Sequence, residues 1–244
     1  MALVDSGEVE CAFNIAGGLH RAAVARAAGF CYFNDAGVVI KHLLRRGRRV
    51  AYVDVDAHHG DGVQFGFYET DQVLTISIHE SGETLFPGTG FAEEIGRGRG
   101  IGYAVNLPLL AGSDDEIFLW AFDQVVPPLL TTFNPDVVVT QLGADTHRTD
   151  PLTNLAMTTS GFAEVVRRLR PLCRRWIALG GGGYNLENVP RSWTLAWAIM
   201  NHQEIPDDLP GSFRATFHRL GFRPSPAGTL QDRLWRSSFA WGTP

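Results

Sequence analysis

The sequence predicts an α/β fold built on a doubly wound parallel sheet, and three features predict it. Short aliphatic or β-branched runs without polar alternation recur at residues 50–56, 73–79, 137–141 and 176–180. Such runs fit parallel strands covered on both faces, whereas a half-exposed strand alternates polar with apolar residues. Segments of helical length and helical apolar spacing, at residues 33–45, 114–132 and 160–174, alternate with them. The order β, α, β, α implies a parallel sheet with helices on its faces. Finally, the runs end in polar, glycine-rich clusters, which is where open parallel sheets bind ligands.

Taken in order, the first helix ends in Arg45-Arg46-Gly47-Arg48-Arg49 and the third carries Arg167-Arg168-Leu169-Arg170 near its end. Cations there oppose the negative end of the helix dipole, so both clusters read as solvated helix ends. Ser113 and Ser160 stand where N-caps belong for the second and third helices. The first strand runs into Asp56, His58 and Asp61, the second into Ser77 and His79, the third into Gly143-Ala144-Asp145, and the fourth into Gly180-Gly181-Gly182-Gly183-Tyr184. A single cleft could collect all of them.

The stretch Asp54-Val55-Asp56-Ala57-His58-His59-Gly60-Asp61-Gly62 carries the most chemistry. Asp56 and His58 are two apart, so an extended chain projects both to one side, where they can grip one ion. With Asp145 they supply two carboxylate oxygens and one imidazole nitrogen, a set that leaves a coordination position open, as catalytic zinc requires. Zinc is preferred, and Fe(II) or Mn(II) is compatible with so oxygen-rich a set. An acidic loop capping the next helix is the plainer alternative, and Asp145 alone reads equally well as a turn carboxylate. The four glycines before Tyr184 could form a phosphate loop, but no Lys-Ser or Lys-Thr follows. A tyrosine on a glycine-rich hinge beside a metal is well placed to hydrogen-bond a developing oxyanion; otherwise it is a packing aromatic.

Composition sets bounds. With 244 residues and 45% hydrophobic content the chain can bury a sizeable core, most simply as one domain over residues 1–244. A net charge of -5 argues against direct nucleic-acid binding. Cys11, Cys31 and Cys173 are odd in number and widely spaced, without a Cys-x-x-Cys pair, which fits a reducing cytoplasm. The first ten residues carry acids in place of a basic leader, and no apolar run approaches the ~20 residues that span a bilayer, so a soluble cytoplasmic protein is expected.

Six motifs then carry a family resemblance: Gly17-Gly18-Leu19-His20, Gly29-Phe30-Cys31-Tyr32-Phe33-Asn34-Asp35, the Asp54 to Gly62 stretch, Phe86-Pro87-Gly88-Thr89-Gly90, the segment from Gln141 to Asp145, and the glycine run with Tyr184. Their order is that of zinc-dependent histone deacetylases, and the chain is identified as a member over residues 11–210. Within that family it is similar to bacterial acetoin-utilisation deacetylases, with Pro190-Arg191-Ser192-Trp193-Thr194 and Glu204-Ile205-Pro206-Asp207-Asp208-Leu209-Pro210 as the weaker part of the match.

The resemblance implies the three-layer α-β-α arginase and deacetylase fold, with a mainly parallel sheet, and hydrolysis of acetyl-lysine in a protein or peptide by a zinc-activated water. It implies that Asp56, His58 and Asp145 hold zinc, that Tyr184 polarises the acetyl carbonyl, that Phe30 and Phe86 flank the lysine tunnel with Gly29 at its floor, and that Leu152 sits at the rim. It further implies a structural potassium site drawing on Asp54, Asp56, His58, Ser77 and Ile78.

Two departures follow. The family has two adjacent histidines after Gly-Gly-Leu, each held by an aspartate, and the second is the general base; here only His20 is present and Arg21 follows. By the family's pairing Asp54 orients His20 and Asp61 faces Arg21, which predicts an Arg21–Asp61 ion pair. A guanidinium stays protonated near neutral pH and cannot take a proton from water, so weakened hydrolysis is expected. The chain also begins almost at the first motif, so the family's usual N-terminal segment is expected to be lacking, leaving an exposed sheet edge.

Rival readings are an arginase-like two-metal hydrolase, disfavoured because Thr146-His147 follow Asp145 where another carboxylate is wanted; an acetylpolyamine amidohydrolase; and a catalytically silent acetyl-lysine-binding module. Of the other histidines, His59 reads as a buried support, His79 as a strand-end residue near the site, His42, His202 and His218 as surface or helix residues, and His147 is left open. Residues 211–244, with Trp235 and Trp241, read as a terminal helix and loop packed on the domain. The oligomeric state is not legible.

Overall fold

The structure is a computed structural model that describes residues 1–220. Six strands form one sheet: β1 (Cys11–Asn14), β2 (Val50–Asp54), β3 (Val73–Glu80), β4 (Ala104–Leu109), β5 (Val137–Gln141) and β6 (Trp176–Leu179). Their order is β1-β6-β5-β2-β3-β4, and every pair is parallel. The four predicted strands are its centre. The edges β1 and β4 carry no unbroken aliphatic run, since β1 is four residues long and β4 is interrupted by Asn106 and Pro108. Proline is tolerated there because an edge strand has one unpaired side.

The helices are α1 (Ala2–Ser6), α2 (Asp35–Arg45), α3 (Asp61–Gly66), α4 (Asp115–Phe133), α5 (Thr159–Leu169), α6 (Asn188–Met200) and α7 (Gly211–Arg219). Alternation along β2 sorts them into two outer layers. Ala51 and Val53 face a core with Phe118 and Phe122 of α4, Phe162 and Val166 of α5, and Met200 of α6. Val50 and Tyr52 face the opposite core, with Ile40 and Leu43 of α2, Val63 of α3 and Val4 of α1. All five β2 residues are buried, which is why that strand reads as apolar without a break.

Two predicted caps move. Asp114, not Ser113, caps α4, its carboxylate accepting from the Glu116 and Ile117 N–H groups. Thr158, not Ser160, caps α5, accepting from Gly161 N–H. Both residues hold the extended backbone that a cap needs, and Ser160 lies inside the first helical turn. The third helix also stops at Leu169 and does not reach 174: Pro171 has no N–H to continue it, and residues 170–172 form a 3₁₀ turn. The arginine clusters are paired instead of simply solvated, Arg46 and Arg48 with the buried Asp5, Arg168 with Glu164 and Asp123, and Arg170 with Glu10.

Of the expected tail, α7 lies within the described residues. Phe213 packs against the Ala163, Leu195 and Leu209 cluster and stacks on Phe217. Trp235 and Trp241 lie outside the described residues. No helix among the described residues is long and apolar enough to cross a membrane.

Register places the site. Asp54 pairs with both Ser77 and Gln141, and Gln141 with Leu179, so β2, β3, β5 and β6 come level at that row. From β2 the chain proceeds outward to β3 and β4, then returns to β5 on the other side. The crevice beyond Asp54 and Gln141 is thus the point where the winding reverses.

Candidate metal centre and active site

Residues leaving β2 and β5 meet in that crevice. One ligand atom from each of Asp56, His58 and Asp145 lies within 4.8 Å of the other two, and this is the one such convergence of three His, Cys, Asp or Glu groups among the described residues. His58 Nδ1 stands 3.1 Å from Asp56 Oδ1 and 2.9 Å from Asp145 Oδ2. Backbone donors hold the carboxylates: Asp56 accepts from His58 N–H and Gly182 N–H, both at 2.8 Å, and Asp145 accepts from Ala57 N–H at 2.9 Å. Gln141 Nε2 donates to Asp56 Oδ2 at 2.6 Å. Gln141 belonged to a recognised motif, but its role as a carboxylate anchor was not read from the sequence; an amide ending an otherwise aliphatic strand was the available signal.

The glycine run has a steric explanation. A Cβ on Gly182 would collide with the Asp145 carboxylate and one on Gly143 with that of Asp56. The glycines let backbone close over two carboxylates.

Electrostatics define what the cluster wants. Burial, and then the negative charge of Asp56, pushes the Asp145 carboxyl up to about 7. Asp56 is held well below the usual range: burial opposes this, but His20 and His58 prevail. Burial would depress His58, yet Asp145 and Asp56 raise it to about 10. Two buried carboxylates therefore draw a cation between them, and a divalent metal fits that donor set.

Beside the cluster, His20 Nδ1 lies 2.8 Å from Asp54 Oδ2, and its Nε2 is 3.8 Å from Asp56 Oδ1. Asp54 is fully buried and also accepts from Tyr52 O–H at 2.7 Å and from Asp56 N–H at 3.1 Å. Tyr52 was read only as part of an apolar run. The expected Arg21–Asp61 contact is present at 3.3 Å, from Nε to Oδ1. It is a charge contact without hydrogen-bond alignment, since Arg21 Nε and Nη2 are buried with no partner.

Tyr184 follows the glycines. Its N–H donates to Asp150 Oδ2, while Asp150 Oδ1 accepts from Leu152 N–H, so one carboxylate ties the predicted rim residue to the tyrosine. Nothing local in the sequence marks Asp150 for this role. The Tyr184 ring lies 6.5 Å from that of His58 and 6.1 Å from that of Phe30. Burial, and then Asp56 and Asp145, raise the phenol above its usual range, so it stays a proton donor. Phe30 and Phe86 are exposed, and Leu152 is too. Phe86 lies over the Arg21 guanidinium, 4.3 Å from Cζ to the ring centre, and Gly29 packs along the same arginine side chain.

Ser77 Oγ lies 2.8 Å from His79 Nδ1, and Ile78 is buried in the sheet core. His79 Nε2 faces the Gly90 carbonyl at 3.0 Å, and His59 Nδ1 faces Thr89 Oγ1 at 2.8 Å. Burial lowers His59 to about 4 and His79 to about 3, so both are neutral supports. His147 lies 2.7 Å from Asn188 Nδ2 and 3.1 Å from Thr149 Oγ1, a scaffold position under the Tyr184 loop.

Fold and site together define a parallel α/β protein with a carboxylate and imidazole metal cluster at its switch point. Comparison with known proteins narrows that class. The histone deacetylase domain matches residues 1–200. Acetoin utilization protein AcuC of Bacillus subtilis is 44% identical over 214 residues, covering 85% of this chain and 55% of the relative. Human histone deacetylase 1 is 44% identical over 203 residues, covering 83% and 42%. Among solved structures, an HDAC homologue from Aquifex aeolicus superposes with a TM-score of 0.84 at 38% identity, covering 91% of this chain and 62% of that one. An HDAC homologue complexed with SAHA gives 0.86 at 37% identity, covering 92% and 63%. This chain belongs to the histone deacetylase domain family, and it has that family's fold. It spans about half the length of the curated relatives it matches.

Proposed function

We propose that the chain is a metal-dependent amidohydrolase that removes the acetyl group from acetyl-lysine in proteins or peptides. The observation that carries this reading is the convergence of Asp56, His58 and Asp145 beside Tyr184. Those three residues would hold a divalent ion, with zinc the first choice. When bound, the metal supplies Lewis acidity for both water and the amide carbonyl. Tyr184 Oη, kept protonated, donates to the carbonyl oxygen as charge develops on it. His20 receives or delivers a proton at Nε2, because its Nδ1 proton is committed to Asp54. Phe30 and Phe86, with Gly29 beneath and Leu152 at the rim, enclose the lysine stem and exclude water. Residues 1–244 act as a single domain, and a potassium ion held near Asp54, Asp56, His58, Ser77 and Ile78 braces the loop that carries the ligands.

Arg21 limits this chemistry. It stands where the family has a second histidine, and its side chain cannot act as a base. It therefore also supports a second reading, a silent acetyl-lysine-binding module. A fluorogenic acetyl-lysine peptide assay on the zinc-loaded chain, beside Tyr184→Phe, separates the two. The expected result is slow, zinc-dependent turnover that falls by about 10²-fold or more in Tyr184→Phe. Peptide binding with no turnover, in the parent and in Arg21→His alike, establishes the silent module. An acetylated polyamine hydrolysed in preference to the peptide moves the substrate to the small-molecule class.

A further inference from the structure

The least satisfied polar group near the site is the Arg21 guanidinium. Arg21 is 3% exposed, and both Nε and Nη2 lack any hydrogen-bond partner. The facing Asp61 does not remedy this. Its Oδ1, the oxygen nearest Nε at 3.3 Å, already accepts from Gly62 N–H at 2.9 Å, and the Nε–H is not aligned with it. Phe86 gives the cation a ring face at 4.3 Å but no acceptor atom. A buried guanidinium with open donors carries a desolvation cost that only acceptor atoms remove.

Its position says which acceptor. Gly29 packs along the Arg21 side chain, the ring of the next residue, Phe30, is tilted 59° to that of Tyr184, and the Tyr184 ring stands edge-on to His58 at 83°. Arg21 thus sits against the Gly29–Phe30 turn, next in sequence to His20, whose Nε2 approaches Asp56 at 3.8 Å, and its guanidinium lies under the exposed Phe86 ring. Its planar fork matches a carboxylate, which two parallel N–H groups can hold at once.

We propose that Arg21 is a carboxylate-binding residue beside the metal cluster, through its unpartnered Nε and Nη2 beneath Phe86. This rests on the amidohydrolase reading and deepens it. Two sources supply such a carboxylate: the acid released by hydrolysis, and the terminal carboxylate of an acyl chain derived from a dicarboxylic acid. In the second case water adds oxygen to the amide carbon, the carbon–nitrogen bond breaks, and the lysine nitrogen takes a proton; the dicarboxylate leaves.

Calorimetric titration of the full chain, with and without zinc, tests this using acetate, succinate, and acetyl-lysine and succinyl-lysine peptides of one sequence. Acetate or succinate binding should weaken about tenfold or more in Arg21→Met. Arg21→Lys keeps the charge without the fork and should fall between. Tighter binding of the succinyl peptide than the acetyl peptide, lost in Arg21→Met, identifies the acyl chain as the source. Equal peptide affinities with Arg21-dependent binding of the free acids identify the released acid. Carboxylate binding that is equal in parent and Arg21→Met, or absent from the parent at millimolar acid, overturns the proposal; the parent arm stands even where a variant does not fold. Turnover of both peptides, followed in parallel, reports on the amidohydrolase reading separately, so either conclusion can fail without the other.

Discussion

His20 and Arg21 are consecutive and buried, and each faces an aspartate across the same loop. His20 meets Asp54 at 2.8 Å, and that carboxylate also accepts from Tyr52 O–H and Asp56 N–H. Arg21 meets Asp61 at 3.3 Å off the hydrogen-bonding axis, with two nitrogens left over. The two pairs differ in how their side chains meet. An imidazole presents one nitrogen to one oxygen, and the short chain of Asp54 reaches it. A guanidinium presents a fork of donors, and Asp61, whose Oδ1 also accepts from Gly62 N–H, aligns with neither Nε nor Nη2. Elsewhere in this molecule the same residue types do align: Arg48 Nε donates to Asp5 Oδ1 at 2.7 Å. A guanidinium can thus align with a carboxylate in this molecule, and the loose contact is particular to the Arg21–Asp61 pair.

Both pairs flank one candidate cation site, and removing that site should give the largest effect. His58→Ala should lower zinc affinity by more than about 100-fold, beyond what loss of a supporting residue costs, and abolish turnover. Calorimetry reads the first and the peptide assay the second; unchanged zinc binding would remove the metal centre from this loop altogether.

Making the two neighbours alike should come next. Arg21→His supplies a second imidazole opposite Asp61 and should raise the turnover of acetyl-lysine peptide by about 10²- to 10⁴-fold. No gain with zinc bound would sink the view that Arg21 is what limits the chemistry.

Loosening the tighter pair sharpens the contrast further. Tyr52→Phe deletes one donor to Asp54 and should cost about 1–3 kcal/mol in urea denaturation, because the lost hydrogen bond ends on a buried carboxylate. Stability equal to that of the parent would mean that Asp54 needs only His20 and the backbone.

The smallest effect concerns the well-aligned arginine pair. The hydrogen bond from Arg48, first, holds Asp5 below its ordinary 3.8; burial opposes it, and Arg46 adds to it. A carboxyl lowered by folding contributes stability that is present above the unfolded value and lost as pH falls through the folded one. The parent should thus be more stable than Asp5→Asn at pH 6, with the gap closing on acidification below about 4. A gap that did not narrow at all on acidification would show that Asn cannot replace Asp5 for reasons other than charge.

Much of this was legible in the chain. The central strands were readable because strands buried on both faces must be apolar throughout, and the candidate ligands because Asp56 and His58 stand two apart directly after a strand. The edges β1 and β4 were not, since an edge need be neither long nor uniformly apolar and can accept Pro108. Caps slipped by one or two residues because Ser, Thr and Asp compete on nearly equal terms and the backbone angle decides. Gln141, Tyr52 and Asp150 escaped notice for a different reason. Each acts on a group distant in sequence, and nothing local distinguishes an amide, phenol or carboxylate with a partner from one without.

The sequence by itself determined the fold class and the three metal-ligand candidates, because these follow from periodicity, spacing and residue type, and, through the family resemblance, the presence of arginine where a histidine is usual. Only the tertiary structure decided how the carboxylates are held, that the glycines serve close approach and not phosphate, and that Arg21 meets Asp61 without bonding to it. Those outcomes depend on distances and angles of a few tenths of an ångström and tens of degrees between segments far apart in the chain, and such quantities come into being only when the segments pack.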